Sequence, residues 1–181
     1  PVVKRAWRVH DPESLPDIMD KAFRLAESGR PGPVLIDMPM DMFSREIEED
    51  LWARTYHDSS VTAKPALDPA AAKAIAEKLV HAKNPVMHAG GGILLAQASE
   101  ELGALAEFLD IPVSRTLMGQ GCLSDEHPLM IGQTGFWGLE HTHHFTANAD
   151  VILGLGTRFA EADSSSWYQG VSFDPDKTTF L

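Results

Sequence analysis

ADVILGLGTRF, residues 149–159, holds five consecutive residues, Val151 to Leu155, that are apolar except for Gly154. A short unbroken apolar run with branched side chains reads as a strand covered on both faces, the habit of parallel sheets. Working outward, a helix is expected from about Glu140 to Asn148, directly before this strand. Upstream lies a Gly-rich loop region, Gly119 to Gly138, and before it a strand beginning at Pro112-Val113-Ser114. A helix from roughly Ala96 to Leu109 is expected to face inward with Ala98, Leu102, Leu105 and Leu109. Gly90-Gly91-Gly92 separates it from a strand at Pro85-Val86-Met87-His88. Asp68 is the expected N-cap, with Pro69 at the first position, of a helix to about Ala82 whose inward residues are Ala72, Ile75, Ala76 and Leu79. Helix and strand alternating in this order predict an α/β domain with a Rossmann-like parallel sheet and helices on both faces, over 68–181.

The first third of the chain differs. Leu15 to Ser28 carries an apolar stripe, Leu15, Ile18, Ala22 and Leu25, with Ser14 as cap and Asp17 at capping-box spacing. Gly29 and Arg30-Pro31-Gly32-Pro33 end that helix, and Val34-Leu35-Ile36 reads as a buried strand. From Ser44 to Leu67 the sequence is charged and without clean period. Residues 45–67 are therefore read as a linker, with Leu51 and Trp52 as anchors, and residues 1–44 as a fragment of another α/β domain. The N-terminus, PVVKRAWRVH, has no initiator Met, and the closing TTFL reads as the start of a strand. The sequence is thus expected to be a piece of a longer protein.

Composition narrows the function. Across 181 residues, 44% are apolar and 23% charged, as in folded domains, and the formal net charge is −11. Such an acidic surface repels phosphate backbones and anionic lipid, so neither nucleic acid nor a membrane is expected as partner. No apolar stretch approaches the roughly 20 residues of a membrane-spanning helix. The lone Cys122 forms no internal disulfide and no thiolate zinc site, which fits a cytoplasmic setting.

Four features carry possible chemistry. Gly90-Gly91-Gly92, between a strand and a helix, allows positive φ and the close approach of a phosphate to helix N–H groups; the plain alternative is a tight turn. It is not a GxGxxG fingerprint, since Ile93, Leu94 and Leu95 follow. Arg158, after Gly154 and Gly156, sits beyond a strand's carboxyl end, where such sheets bind ligands; otherwise it is a solvated turn residue. His141, His143 and His144 suggest a metal, but on a helix His143 points away from the other two, and a solvated or partner-facing helix explains them better. The acidic runs Glu100-Glu101 and Glu48-Glu49-Asp50 are solvated faces rather than an acid/base pair. No catalytic constellation is visible, and no metal site is assigned.

Five stretches recur in one order: GRPGPVLIDMPMD (29–41), PVMHAGGG (85–92), IPVSRTLMGQG (111–121), HPLMIGQTG (127–135) and ADVILGLGTRF (149–159). Together they resemble the thiamine-diphosphate enzyme family, nearest the acetolactate synthase large subunit, over almost the whole chain. The resemblance implies that 1–44 is the tail of a pyrimidine-binding domain and 68–181 most of the central Rossmann-like domain. It places the activating glutamate and the magnesium–diphosphate motif outside this sequence. Thiamine diphosphate and Mg, a 2-oxo-acid substrate, carboligation or decarboxylation, and a homodimer or homotetramer are then implied for the parent enzyme. This stretch alone would be inactive.

In acetolactate synthases the central domain binds FAD, and in related members ADP or neither. By motif, such contacts would fall on Gly90, Gly91, Gly92, Thr116, Leu117, Met118, Gly135, Phe136, Trp137, Gly156 and Arg158. Two departures stand out. Ala160 and Ala162 replace polar residues of the family's GxRFDDR pattern, and Gly135-Phe136-Trp137-Gly138 replaces its GMHG. Glyoxylate carboligase and sulfoacetaldehyde acetyltransferase share the scaffold. Outside the family, an NAD(P)-binding module of a dehydrogenase is opposed by the missing fingerprint and by the position of Asp110, which precedes the next strand. A non-catalytic assembly domain is the third reading.

Overall fold

The fold comes from a computed structural model that describes residues 2–55 and 66–181. The chain divides into two compact units, one within 1–65 and one from Ala66 to Leu181.

The first unit is built on a parallel pair, β1 (Ala6–Arg8) and β2 (Leu35–Asp37), in register Trp7 to Ile36. Helix α1 (Leu15–Glu27) joins them. The Ser14 cap is not formed. Asp11 instead accepts from Glu13 N–H at the start of a short 3-10 turn, Pro12–Ser14, and the Ser14 hydroxyl donates back to the Asp11 carbonyl. Val34-Leu35-Ile36 is not the buried strand expected: β2 alternates, and Leu35 is half exposed, because this two-stranded sheet has no second layer over that side among the described residues. The segment read as linker begins with a helix, α2 (Glu49–Thr55), which lies against α1. Leu51 is half-buried and Trp52 exposed. Residues 56–65 of that reading lie outside the described residues.

The second unit is a five-stranded, all-parallel sheet in the order β5-β4-β3-β6-β7. Its strands are β3 (Pro85–Ala89), β4 (Val113–Arg115), β5 (Met130–Gln133), β6 (Val151–Leu155) and β7 (Thr179–Phe180). β6 falls where expected, and Val151, Ile152 and Leu153 are all buried. β5 was hidden in the Gly-rich region: Gly132, at φ +99, breaks its pattern, and the β4–β5 register shifts between Val113 and Ser114. β6 pairs with β3 along its whole length.

Side-chain alternation sorts the core into two layers. On one face Met87, Ala89, Val113, Val151 and Leu153 meet Leu79, Ile93, Leu102 and Ala106 from helices α3 (Pro69–His81), α4 (Gly91–Ala96) and α5 (Ser99–Leu109). Asp68 caps α3 through Ala70 N–H, as its sequence predicts, but Ala76 faces solvent and Ile75 with Leu79 carries the contact. The helix expected over 96–109 is α5, which starts three residues later at Ser99, and the short helix α4 precedes it. Gln97, at φ +55, breaks the chain between α4 and α5, and Ala106 rather than Leu105 takes the inward position.

On the other face Val86, Ile152 and Phe173 pack with Phe159 and Phe180, and Trp167 and His88 join the ring cluster. Helix α6 (Glu140–Ala147) docks on this side, its Thr142 hydroxyl donating to the Ile131 carbonyl and its Thr146 hydroxyl to that of Ser172. Both faces of the sheet are thus covered, as an all-parallel sheet requires. No helix of the described residues is long and apolar enough to cross a membrane.

Candidate functional site: the carboxyl edge of the sheet

From β3 the chain moves outward through β4 to β5, then crosses back to lay β6 on the other side of β3. The strand order therefore reverses between β3 and β6. Parallel strands diverge from a crevice at such a point, beyond their carboxyl ends. All the residues singled out by motif lie in the loops of that edge. Gly90, Gly91 and Gly92 follow β3, and Thr116, Leu117 and Met118 follow β4. Gly135, Phe136 and Trp137 follow β5, and Gly156 and Arg158 follow β6.

The glycines are used differently from expectation. Gly90, Gly91 and Gly92 do not adopt positive φ. They are small because two loops touch backbone to backbone. A Cβ on Gly90 would lie 2.4 Å from the Gly156 carbonyl oxygen, and one on Gly92 would lie 2.6 Å from Gly156 Cα. Gly90 N–H donates to the Leu155 carbonyl and Gly92 N–H to that of Gly156, both at 2.9 Å. Two donors of the triplet are thereby spent inside the protein. Gly156 itself takes φ +61, which only glycine adopts without strain.

The neighbouring loops are tied in the same way. Thr116 is buried, and its hydroxyl oxygen accepts from Gly119 N–H at the head of a 3-10 turn, Leu117–Gly119. Leu117 N–H is taken by the Asp163 carboxylate at 3.2 Å, while the Asp163 carbonyl accepts from the Thr134 hydroxyl. Phe136 N–H donates to Ala162, beside which Gly135 sits at φ +85 with no room for a Cβ. His143 presents Nε2 3.1 Å from the Gly135 carbonyl. Asp163, five residues past Arg158, has no sequence pattern of its own and was not foreseen, and His143 was singled out with its two neighbours but not for this contact. His141 and His144 are exposed, and no group of His, Cys, Asp and Glu could hold a metal ion among the described residues.

What stays available is the outer surface of the edge. Arg158 is exposed and makes no hydrogen bond or ion pair with a described residue. Leu117, Met118, Phe136 and Trp137 are each about half exposed or more. The segment after Arg158 is strained: Phe159, Ser165, Ser166 and Trp167 all take φ between 50° and 56°. Bulky residues avoid that region unless their surroundings hold them there. Here Phe159 and Trp167 are held by rings, 6.0 Å apart and both packed on Phe173 and Phe180.

A flat aromatic group carrying an anion fits the free residues, namely apolar side chains and one unpaired guanidinium. Diphosphate oxygens gain little from the glycines, whose N–H groups at Gly90 and Gly92 are already bonded.

An open parallel sheet with its crevice at the switch point defines an α/β domain of the Rossmann-like type. Residues 72–181 match the family model described as the central domain of thiamine pyrophosphate enzymes, and the chain belongs to that family. It is 37% identical over 163 residues to a probable acetolactate synthase large subunit of Methanocaldococcus jannaschii, covering 89% of this chain and 28% of that protein. It is 39% identical over 171 residues to glyoxylate carboligase of Escherichia coli O157:H7, covering 92% and 28%. With the acetolactate synthase isozyme 1 large subunit of Escherichia coli K12 it shares 36% over 159 residues, covering 88% and 27%. The chain thus spans little more than a quarter of the length of these relatives.

Proposed function

We propose that this chain is the central part of a thiamine-diphosphate-dependent 2-oxo-acid carboligase or decarboxylase, most like acetolactate synthase, with residues 68–181 holding FAD or ADP at the carboxyl edge. Residues 1–44 are then the tail of the pyrimidine-binding domain. The observation that carries the nucleotide reading is the gathering of four loops at the switch point, with Arg158 unpaired there. Thiamine diphosphate, with Mg, supplies the chemistry of the parent enzyme. The role of these residues is to hold and orient: Arg158 meets diphosphate or ring-carbonyl oxygens, and Leu117, Met118, Phe136 and Trp137 cover a ring.

The parent protein is proposed as a cytoplasmic homodimer or homotetramer, and the 181-residue piece as inactive alone. Glyoxylate carboligase is the second reading within the family, favoured by the 39% identity to that enzyme. The absorbance spectrum of the purified full-length protein tests the cofactor, because flavin has visible bands and a nicotinamide or empty domain has none. Product analysis against a panel of 2-oxo acids tests the reaction. Acetolactate from pyruvate supports the leading reading, and carboligation of glyoxylate alone supports the second.

A further inference from the structure

A cavity of about 420 Å³ opens at the β5 edge of the sheet, two strands away from the β3/β6 crevice. Arg115, the last residue of β4, lines it together with Gln133, Trp137, Leu139 and His141. An arginine is rarely buried without full pairing, because removing its charge from water is costly unless acceptors replace the water. Arg115 departs from that rule. Its side chain is 10% exposed, and its one partner among the described residues is Asp125, whose Oδ1 accepts from Nη2 at 2.9 Å. Nε and Nη1 are buried and have no acceptor among the described residues. The neighbouring Cys122 offers no counter-charge, since burial pushes its thiol up even with Arg115 nearby.

We propose that this cavity binds a small monocarboxylate with an apolar body, its carboxylate taken by Arg115 in exchange for Asp125. Three features select that chemistry. A guanidinium with two N–H groups lacking acceptors, and its third nitrogen held by an exchangeable carboxylate, calls for an anion, and a carboxylate replacing Asp125 meets it in the same geometry. Once Asp125 has left, the single charge of Arg115 is balanced by a monoanion, whereas a phosphate dianion would leave excess negative charge in the site. Trp137, Leu139, Met130 and Ile131 give an apolar wall for the rest of the molecule, while Gln133 and His141 add polar edges. Asp125 is placed to leave, because its side chain is 65% exposed whereas that of Arg115 is fixed. The site shares Trp137, and no other residue, with those named for the nucleotide, and its ligand need not be a substrate.

The test is equilibrium dialysis of the intact protein against radiolabelled phenylacetate and, separately, inorganic phosphate. Saturable phenylacetate binding is expected, weakened about tenfold or more in Arg115→Met, the loss set by hydrogen bonds to a charged group. Asp125→Asn, which removes the competing charge, should bind phenylacetate several-fold more tightly. Absence of saturable binding, unchanged affinity in Arg115→Met, or unchanged or weaker affinity in Asp125→Asn overturns the proposal. Phosphate binding as tight as phenylacetate overturns the carboxylate assignment. If Arg115→Met fails to fold by circular dichroism, the Asp125→Asn result decides alone.

Discussion

His88, the fourth of the five residues of β3, has no exposed surface and lies between Phe159 and Phe173. Its Nδ1 lies 2.9 Å from the Ser114 hydroxyl, and Nε2 has no partner among the described residues. Burial without a second acceptor disfavours the charged ring and pushes its pKa from 6.5 down to about 4. The unfolded chain therefore takes up a proton that the folded one refuses. Stability from this group is complete above pH 6.5 and is lost as pH falls from 6.5 towards about 4, by about 3 kcal/mol in all. Urea unfolding at pH 7.5 and pH 4.5 should show that loss in the wild type, and His88→Leu should lose correspondingly less. Equal acid sensitivity in both would remove His88 from the account. At the same scale, Gly92→Ala forces a Cβ into the Gly156 backbone, where no side chain can swing away. We expect a loss of roughly 1–3 kcal/mol, the range for overpacking. A Tm equal to wild type would show that the two glycine loops are not locked together.

Among the elements, β6 carries the core, since each of its first three residues is buried. Val151→Asp would place an unpaired carboxylate between β3 and β7 against the α3 and α5 side. A cost of roughly 3–5 kcal/mol is expected in denaturant unfolding, and an unchanged midpoint would refute the buried-strand reading. This strand was legible in sequence because four apolar residues broken only by Gly154 need no partner to be recognised. The helix α3 was legible through its Asp68-Pro69 start. β5 was not, because it is an edge strand of half-buried residues interrupted by Gly132. The break at Gln97 was also illegible: a left-handed glutamine is set by the packing of α4 and α5, not by local preference. The glycine triplet was located correctly, but none of its three residues takes the positive φ expected. Only the three-dimensional approach of Gly156 reveals that its bare backbone serves the protein before any ligand.

At the scale of the whole molecule, family membership rests on the central-domain match over 72–181, while the proposed chemistry is assigned to parts that the resemblance places elsewhere. The purified 181-residue chain, given thiamine diphosphate, magnesium and pyruvate, should release no carbon dioxide above the protein-free control. Turnover by it would contradict the division of labour proposed here.

Binding of a flavin or adenine nucleotide at the carboxyl edge of 68–181 is proposed to depend on Arg158. Titration of the full-length protein and of its Arg158→Ala variant with FAD and with ADP tests it most directly. At least one ligand should bind the wild type, and the variant should bind it more weakly by about 1.5–3 kcal/mol, the range for hydrogen bonds to a charged group. Its melting temperature should not change, because Arg158 is exposed and holds none of the core. Equal affinity in both proteins, or no binding of either ligand to the wild type, would contradict the claim and leave Arg158 a solvated turn residue.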